Sequence, residues 1–352
     1  MIDTDVQLAG YLPSIRAAAW VAVDTEADSL HAYPEKLCLI QISTADGDRL
    51  VDPLAGIHLQ PLLDALNGHE LIFHAADYDL RLLRKHHGFV PATIFDTMLA
   101  ARLLGIKKFS LGDLVEAELG VKLEKGSQKA DWARRPLTPR MENYARNDTH
   151  YLKPLSDKLR AALKDKGRLA WHAESCQRLI EDSARLSAVD GDAVWRVKGS
   201  FSLSRPGLAV LRELWHWREQ EALSADRPPF FILHHDMLVD LADAASSQDR
   251  FDHLLPKHLS PRRTEGIKHA VRKALALPSE QHPQIPKRDR HRPTEAETRR
   301  FRDLEKRRDK HAHELAIDPT LIAPRAMLGE LARDWETHSA ELMNWQRELL
   351  KV

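Results

Sequence analysis

Apolar and polar residues follow two different rhythms along the chain. In the first part, short apolar runs end in polar residues, a pattern typical of buried strands; the runs are Trp20–Val23, Lys36–Ser43, Arg49–Asp52, Leu71–His74 and Ile94–Thr97. Segments with helical spacing lie before, between and after them. Strands in succession, followed by strands alternating with helices, predict an α/β domain with a mixed sheet flanked by helices.

After about residue 190 only the helical rhythm continues. Leu208–Leu223 is amphipathic, and the Pro-rich, charged stretch Pro278–Pro293 is typical of a linker. The later segment FRDLEKRRDKHAHELAID matches the earlier LRELWHWREQEALSADRP at the same spacing of Leu, an Arg–acid pair and Ala. We interpret this as a degenerate internal repeat. The predicted domains are therefore residues 1–195, 203–283 and 284–352.

Local charge, and not overall composition, indicates a nucleic-acid partner. The 352 residues carry 52 basic and 52 acidic side chains, so net charge says nothing about a nucleic-acid partner. The segment Lys257–His311, however, has 17 Lys or Arg against 8 Asp or Glu. Such an excess predicts salt-sensitive RNA binding. The alternative, a solvated helix face, applies best to the Glu-interleaved part after Thr294.

Compartment and membrane signals point to a cytoplasmic protein without a membrane partner. Cys38 and Cys176 are too few for a disulfide framework or a Cys-based zinc site. The N-terminal MIDTDVQLAG has neither a basic nor an apolar signal region, and no run approaches the length of a membrane span. With no coiled-coil heptad apparent, we expect a monomer.

The first strand run ends in two acids with a threonine between them. Asp24 and Glu26 are two positions apart, so on a strand they share a face. Two adjacent buried carboxylates repel each other, and a hard divalent cation removes that cost. A metal site is therefore one interpretation of this stretch, but two solvated acids at a strand end give the same pattern, and only the rest of the chain changes the balance between them.

Two further stretches complete a recognisable set. Asp79 lies in HAADYDLRLL, and Tyr144 and Asp148 lie one helical turn apart in DWARRPLTPRMENYARND. This order resembles the tyrosine-bearing branch of the DEDD 3′→5′ exonucleases. The neighbouring KLCLIQIS, His74-Ala75 and Phe95-Asp96-Thr97 are similar to the ribonuclease D family. The segment LRELWHWREQEALSADRPPFFIL resembles its HRDC domains, so the resemblance covers essentially the whole chain.

The resemblance implies an RNase H-like α/β exonuclease domain followed by two all-helical HRDC-like domains. It also implies that two divalent ions, Mg²⁺ or Mn²⁺, are held by Asp24, Glu26, Asp79 and Asp148. Tyr144 would orient the attacking water, because a phenol with a pKa near 10 is a poor base. The implied reaction is two-metal hydrolysis of the 3′-terminal phosphodiester, which releases nucleoside 5′-monophosphates.

Some positions leave alternatives or depart from the family pattern. Asp77 competes with Asp79 for the third ligand position, and the alignment favours Asp79, with Asp77 as the helix cap. Asp96 is expected to secure a turn. The family often has Gln where this chain has Met141, and a bulky residue where it has Ala27. If the family Gln orients RNA or the helix, Met141 cannot take that role. Ala27 questions the packing next to the terminal nucleotide, not the metal site.

Four residues are predicted to contact substrate: Thr25, His74, Lys129 and Arg135. For His74 the contact would be with the terminal ribose or phosphate, and the alternative is a hydrogen-bonded histidine at the end of a strand. Lys129 and Arg135, with Lys125 and Arg134, flank Trp132 in a Gly-containing loop. Cations around an aromatic residue can contact phosphates while the ring stacks on a base. We expect Trp132 to pack inward instead, with at least one cation on a phosphate.

The sequence therefore predicts a 3′→5′ exoribonuclease acting on structured RNA with 3′ tails, tRNA precursors among them. A DNA exonuclease of the same superfamily is one alternative. A catalytically silent RNA-binding scaffold is another, against which the complete set of acids and Tyr144 argues.

Overall fold

A five-stranded mixed sheet forms the centre of the N-terminal part. The structure is a computed structural model, and it describes residues 1–124, 126–185, 194–247, 251–257, 259–284 and 291–351. The strands are β1 (Val21–Ala27), β2 (Leu37–Thr44), β3 (Gly47–Val51), β4 (Glu70–Phe73) and β5 (Thr93–Asp96). Their order is β3-β2-β1-β4-β5, with β1, β2 and β3 antiparallel and β1, β4 and β5 parallel. The predicted mixed sheet is confirmed.

Helices cover both faces of this sheet. They are α1 (Asp5–Ala17), α2 (Gln60–Leu66), α3 (Asp77–His87), α4 (Thr97–Leu104), α5 (Leu111–Leu119), α6 (Pro139–His150), α7 (Leu152–Asp165) and α8 (Leu169–Ala184). Val21 and Val23 pack against α1, α2, α3 and α8. On the opposite face Ala22 and Ile72 pack on Leu152 of α7, and Leu39 packs on α6. Alternation along β1 thus decides which residues lie beneath α6.

The C-terminal part is helical, as predicted. It contains α9 (Arg205–Ala225), α10 (Pro229–Ile232), α11 (His235–Ser246), α12 (Pro261–Leu275), α13 (Glu295–Leu315), α14 (Pro319–Ile322), α15 (Arg325–Arg333), α16 (Trp335–His338) and α17 (Asn344–Leu350). Most tryptophans here belong to the apolar clusters rather than to an exposed platform: Trp345 is buried, and Trp215, Trp217 and Trp335 are partly buried.

The structure confirms the internal repeat. α9 and α13 are both 21 residues long, and each is followed by a short helix that begins with Pro. Arg218 of α9 donates to the carbonyl of Leu233, and Arg308 of α13 donates to the carbonyl of Ala323. The guanidinium in each repeat therefore satisfies the carbonyl at the end of the following short helix, and this buried Arg is the residue that the repeated Arg–acid pair supplies.

The chain divides into two compact units. One comprises Met1–Ala27, Leu37–Arg185 and His291–Val352, and the other comprises Asp28–Lys36 and Leu186–Arg290. The helices from α13 onward thus share a unit with the sheet. Their apolar cluster is continuous with that of α4, α5 and α7. Arg168 donates to the carbonyls of both Leu103 and Leu315. The boundaries proposed at 195, 203 and 283 stay predictions.

Gly105 marks how closely the two parts of the first unit approach. Its φ is +85°, and a Cβ at this position would lie 2.1 Å from the carbonyl oxygen of Ala316. Only glycine tolerates both that backbone conformation and that contact. Within the described ranges, no helix has the combination of length and apolar character that a bilayer crossing requires.

Candidate metal centre

Three carboxylates meet between β1 and α6. The sequence had suggested that Asp24 and Glu26 lie at the end of the strand. The pairing of β1 with β2 continues to Ala27, so both acids lie within it. Both point to the face that α6 covers. One oxygen each of Asp24, Glu26 and Asp148 lies within 4.8 Å of the others. The strand periodicity and the helical spacing thus bring the predicted acids together.

Asp79 reaches the same region from α3. The backbone N–H of Thr25 donates to Asp79 Oδ1 at 3.0 Å, and the Thr25 hydroxyl donates to the same oxygen. Asp79 is buried, whereas the side chain of Asp77 is 56% exposed and forms an ion pair with Arg81. This geometry favours Asp79 over Asp77 as the acid of the site. Asp77 makes no side-chain cap bond, so its predicted role as helix cap is wrong.

Thr25 itself is engaged inward. It is 6% exposed, and its side chain bonds Asp79. The Thr25 side chain therefore positions Asp79, and the predicted contact of Thr25 with substrate stays a prediction. No sequence signal separates these two roles, because the partner of the hydroxyl lies 54 positions away.

The acids raise one another's pKa values. Burial, then repulsion from Asp79, Asp148 and Glu26, holds the pKa of Asp24 well above its usual range. Burial and the charges of Asp148 and Asp79 raise the pKa of Glu26 to about 9. Burial likewise raises the pKa values of Asp79 and Asp148 to about 7 each. The metal-free cluster is thus electrostatically costly when fully ionised.

This donor set fits divalent cations. The four acids supply only carboxylate oxygens, which are the ligands that Mg²⁺ and Mn²⁺ prefer. In the part of the chain that the structure describes, no Lys, Arg or His forms an ion pair with any of them. Bound cations are therefore the partners that would offset the repulsion between these buried carboxylates.

Tyr144 lies beside the cluster on α6. Asp148 lies one helical turn further along α6, near enough for the Tyr144 hydroxyl to offset part of the rise in the pKa of the Asp148 carboxyl. The ring of Tyr144 lies 6.1 Å from that of Trp132. Burial, followed by the charges of Asp148, Glu26 and Asp24, raises its pKa far above the usual range. Tyr144 consequently stays a neutral hydroxyl and can orient a water but not act as a base.

Asp96 and His74 shape the loop before α3. Asp96 is fully buried, caps α4 and accepts the N–H groups of Ala75 and Ala76. It therefore holds the left-handed conformation of Ala75, whose φ is 60°. The expectation that Asp96 secures a turn is confirmed. His74 Nδ1 lies 2.9 Å from Thr97 Oγ1.

Arg135 does not face a substrate in this structure. Its five N–H donors are taken by both carboxylate oxygens of Asp52 and by the carbonyls of Cys38, Trp132 and Arg134, at 2.5–2.9 Å. No donor is left for a phosphate. The predicted substrate contact of Arg135 is thus replaced by a structural role.

The rest of that loop agrees with the expectation of inward packing. Trp132 is 1% exposed, so it cannot stack on a base. Lys129 is exposed on the loop surface, and Lys125 lies outside the described residues. Met141, one of the two departures from the family pattern, is buried against Leu39 and Trp132 and so serves packing.

The basic segment Lys257–His311 is divided between the two compact units. In the second unit, Arg262 and Arg263 pair with Glu221, and Lys273 pairs with Glu213. Lys287 and Arg288 lie outside the described residues. The segment is therefore not one continuous run of unpaired charge.

In the first unit, basic side chains collect at one cavity on the C-terminal helices. The cavity has a volume of about 640 Å³. The cations that line it are Arg300, Lys306, Arg307, Lys310 and Lys351, against one acid, Asp303. An excess of positive charge around an open cavity attracts phosphates.

Comparison with known proteins agrees with this geometry. Residues 1–164 match the 3′-5′ exonuclease family model, and residues 207–249 match the HRDC domain model. A protein of Zymomonas mobilis named ribonuclease D is 35% identical over 247 residues, which are 69% of this chain. That match spans 63% of the Zymomonas protein, less than two thirds of its length.

Two further relatives match over nearly their whole length. The ribonuclease D of Nitrobacter hamburgensis is 31% identical over 99% of this chain and 92% of its own. The crystal structure of Escherichia coli RNase D, "an exoribonuclease involved in structured RNA processing", is 26% identical and superposes with a TM-score of 0.76, covering 100% of this chain and 98% of that one. The chain belongs to the ribonuclease D family of 3′→5′ exonucleases.

Proposed function

We propose that this protein is a metal-dependent 3′→5′ exoribonuclease that hydrolyses the terminal phosphodiester and releases nucleoside 5′-monophosphates. The observation that carries the proposal is the buried cluster of Asp24, Glu26 and Asp148, whose oxygens lie within 4.8 Å of one another. Asp79 stands beside them. An unpaired acidic cluster of this kind destabilises the fold unless cations bind there.

The residues of the site are proposed to have different roles. Asp24, Glu26, Asp79 and Asp148 would hold two divalent ions, Mg²⁺ or Mn²⁺. When bound, such ions supply electrophilic stabilisation of the phosphate oxygens and lower the pKa of water. Tyr144 donates to or accepts from the attacking water and sets its direction. We propose that Asp148 orients Tyr144 from one helical turn away on α6, and Thr25 orients Asp79.

Several features support RNA as the substrate. The E. coli and Nitrobacter relatives are named as ribonucleases. The HRDC-like helices and the basic cavity offer surfaces for the phosphates of a folded RNA. We propose that structured RNA with a 3′ tail, tRNA precursors among them, is held there while its 3′ end reaches the carboxylates. Lys129, exposed beside the site, is proposed to contact a phosphate of the tail.

His74 is proposed to contact the terminal ribose. The hydroxyl of Thr97 donates to the carbonyl of Phe73 at 3.1 Å, so it must accept from His74 Nδ1. That tautomer leaves Nε2 as a hydrogen-bond acceptor. Burial lowers the pKa of His74, so the ring is neutral near pH 7. A neutral acceptor suits a ribose hydroxyl better than a phosphate, and a 2′-hydroxyl is what distinguishes RNA from DNA.

The test is degradation of a 3′-tailed RNA hairpin and its DNA equivalent, each with Mg²⁺, Mn²⁺ or EDTA. Metal-dependent trimming of the RNA is expected. Asp24→Asn and Asp148→Asn should each reduce it by at least about 10²-fold, the scale of losing one electrostatic group from an active site. Equal or faster trimming of DNA would point to a DNA exonuclease, and tight RNA binding without trimming would point to a scaffold. Monomeric state and cytoplasmic location stay predictions.

A further inference from the structure

Gln41 is a buried amide without a hydrogen-bond partner. It lies in the middle of β2, where all eight residues are buried, and it is 0% exposed. Neither its Nε2 nor its Oε1 has a partner. Among the described residues, no other side chain has two buried polar atoms in this condition. An amide left unpaired in a strand interior is costly, and apolar residues occupy the neighbouring positions at no such cost.

The strand register places this amide at the metal centre. In the antiparallel pairing of β1 and β2, Gln41 stands directly opposite Asp24. Residues opposite each other share a face, with Cβ atoms about 4.5–5.5 Å apart. The next pair on that face confirms its direction, because the hydroxyl of Ser43 bonds that of Thr149 on α6. Gln41 therefore lies beneath α6, beside the carboxylates, and its side chain is long enough to reach that of Asp24.

We propose that Gln41 is a positioning residue of the metal centre, whose amide N–H donates to the oxygen of Asp24 that does not face the metal. The inference rests on the proposed function, since it requires the acids to bind divalent ions. A donor behind a ligating carboxylate fixes its orientation and favours its ionised form. The amide has no partner in this structure, so the bond to Asp24 is proposed for the protein with its cations bound.

We expect Gln41 to differ from an ordinary core residue in how its replacement changes stability and metal affinity. A core residue stabilises the fold and leaves metal affinity alone. Gln41 is proposed to weaken the metal-free fold and to strengthen metal binding. Replacement by leucine keeps the side chain similar in size and removes both unpartnered atoms. Stability in EDTA and affinity for Mn²⁺ should therefore move in opposite directions.

The experiment measures melting temperature in EDTA and Mn²⁺ affinity by calorimetry for the wild type, Gln41→Leu and Gln346→Leu. Gln346 is the matched control, because its amide is fully engaged by the carbonyl of Leu321 and the N–H of Met343, away from the acids. Gln41→Leu should melt at the wild-type temperature or above it and bind Mn²⁺ about 10–100-fold more weakly, the usual effect of losing an outer-shell partner. Gln346→Leu should melt lower with unchanged Mn²⁺ affinity.

Wild-type Mn²⁺ affinity in Gln41→Leu would overturn the inference, and so would a melting temperature as low as that of the control. Gln41→Met, unbranched and of the same length, repeats the measurement should leucine prevent folding. Failure of the proposed function looks different, because the wild-type protein itself would then bind no Mn²⁺ and trim no RNA.

Discussion

Thr25 donates its backbone N–H and its hydroxyl to the same carboxylate oxygen of Asp79. This pair joins β1, which carries Asp24 and Glu26, to α3, which carries Asp79. The acids on β1 and the acid on α3 are thus held in one arrangement by the residue that stands between Asp24 and Glu26 in the sequence. The residue between Asp24 and Glu26 therefore also positions Asp79, the third acid of the metal centre.

Removing the Thr25 hydroxyl should loosen Asp79 without removing any acid. Thr25→Val keeps the shape and the backbone bond, and we expect kcat to fall about 10-fold, as for other outer-shell partners of metal ligands. Thr25→Ser retains the hydroxyl and should stay within about twofold of the wild type. Equal kcat for Val and Ser variants in RNA trimming would contradict the positioning role.

The raised pKa values predict how metal-free stability depends on pH. In the unfolded chain these carboxyls titrate near pH 4, whereas in the fold the pKa values of Asp79 and Asp148 are about 7 and that of Glu26 is about 9. Between about pH 4 and these raised pKa values, the folded state therefore binds more protons than the unfolded state. The free energy of unfolding consequently falls as pH rises through this range. Melting in EDTA should occur at lower temperature as pH increases from 5.5 to 8.5.

Saturating Mg²⁺ should reverse that loss, because bound cations neutralise the ionised acids. At about 100 times the dissociation constant, the increase in melting temperature should reach about 5–10 °C and should grow with pH. Glu26→Gln removes the acid whose pKa is raised to about 9 and should flatten the EDTA profile. An EDTA profile that rises with pH would contradict the electrostatic account.

Substitutions at Arg135 and Lys129 should affect different properties, namely stability for Arg135 and substrate binding for Lys129. Arg135→Gln breaks a largely buried ion pair with Asp52, and we expect a loss of about 3 kcal/mol of unfolding free energy with KM for RNA unchanged. Lys129→Gln should raise KM for RNA. In this variant the slope of log KM against log salt concentration should decrease in magnitude by about 0.7, the value for one phosphate contact on a single strand. A raised KM in folded Arg135→Gln would restore the substrate role predicted from sequence.

His74 offers a test of RNA selectivity. Asparagine in its place can still donate to Thr97 but lacks an acceptor at the position of Nε2. His74→Asn should therefore keep the melting temperature and lower the ratio of kcat/KM for RNA over DNA about fivefold, the value of one neutral hydrogen bond. Thr97→Val, which disturbs the tautomer through the same bond, should act in the same direction. An unchanged ratio in both variants would exclude a hydroxyl contact.

Local periodicity explains what the sequence could predict of the site. Asp24 and Glu26 share a face because strands alternate, and Tyr144 and Asp148 share a face because helices repeat every turn, so neither inference needs the tertiary fold. The family resemblance then supplied Asp79 over Asp77, and its burial agrees.

Long-range pairing explains what the sequence could not predict. The position of Gln41 opposite Asp24 depends on strand register, and the acceptors of Arg135 come from residues as distant as Cys38 and Asp52. The same holds for the packing of α13 to α17 on α4, α5 and α7, since an amphipathic helix does not reveal which surface covers its apolar face. Gln41 lies in the segment KLCLIQIS, and the only signal there is a polar residue inside an apolar run.

These acids are proposed to form a metal-dependent hydrolytic centre that acts from the 3′ end of RNA. The most direct measurement is mass spectrometry of the small products released from a 3′-tailed RNA hairpin by the wild type and by Asp148→Asn. If this proposal holds, we expect nucleoside 5′-monophosphates in Mg²⁺ or Mn²⁺, none in EDTA, and almost none from the variant. Release that persists in EDTA, or products with 3′-phosphates, would contradict it.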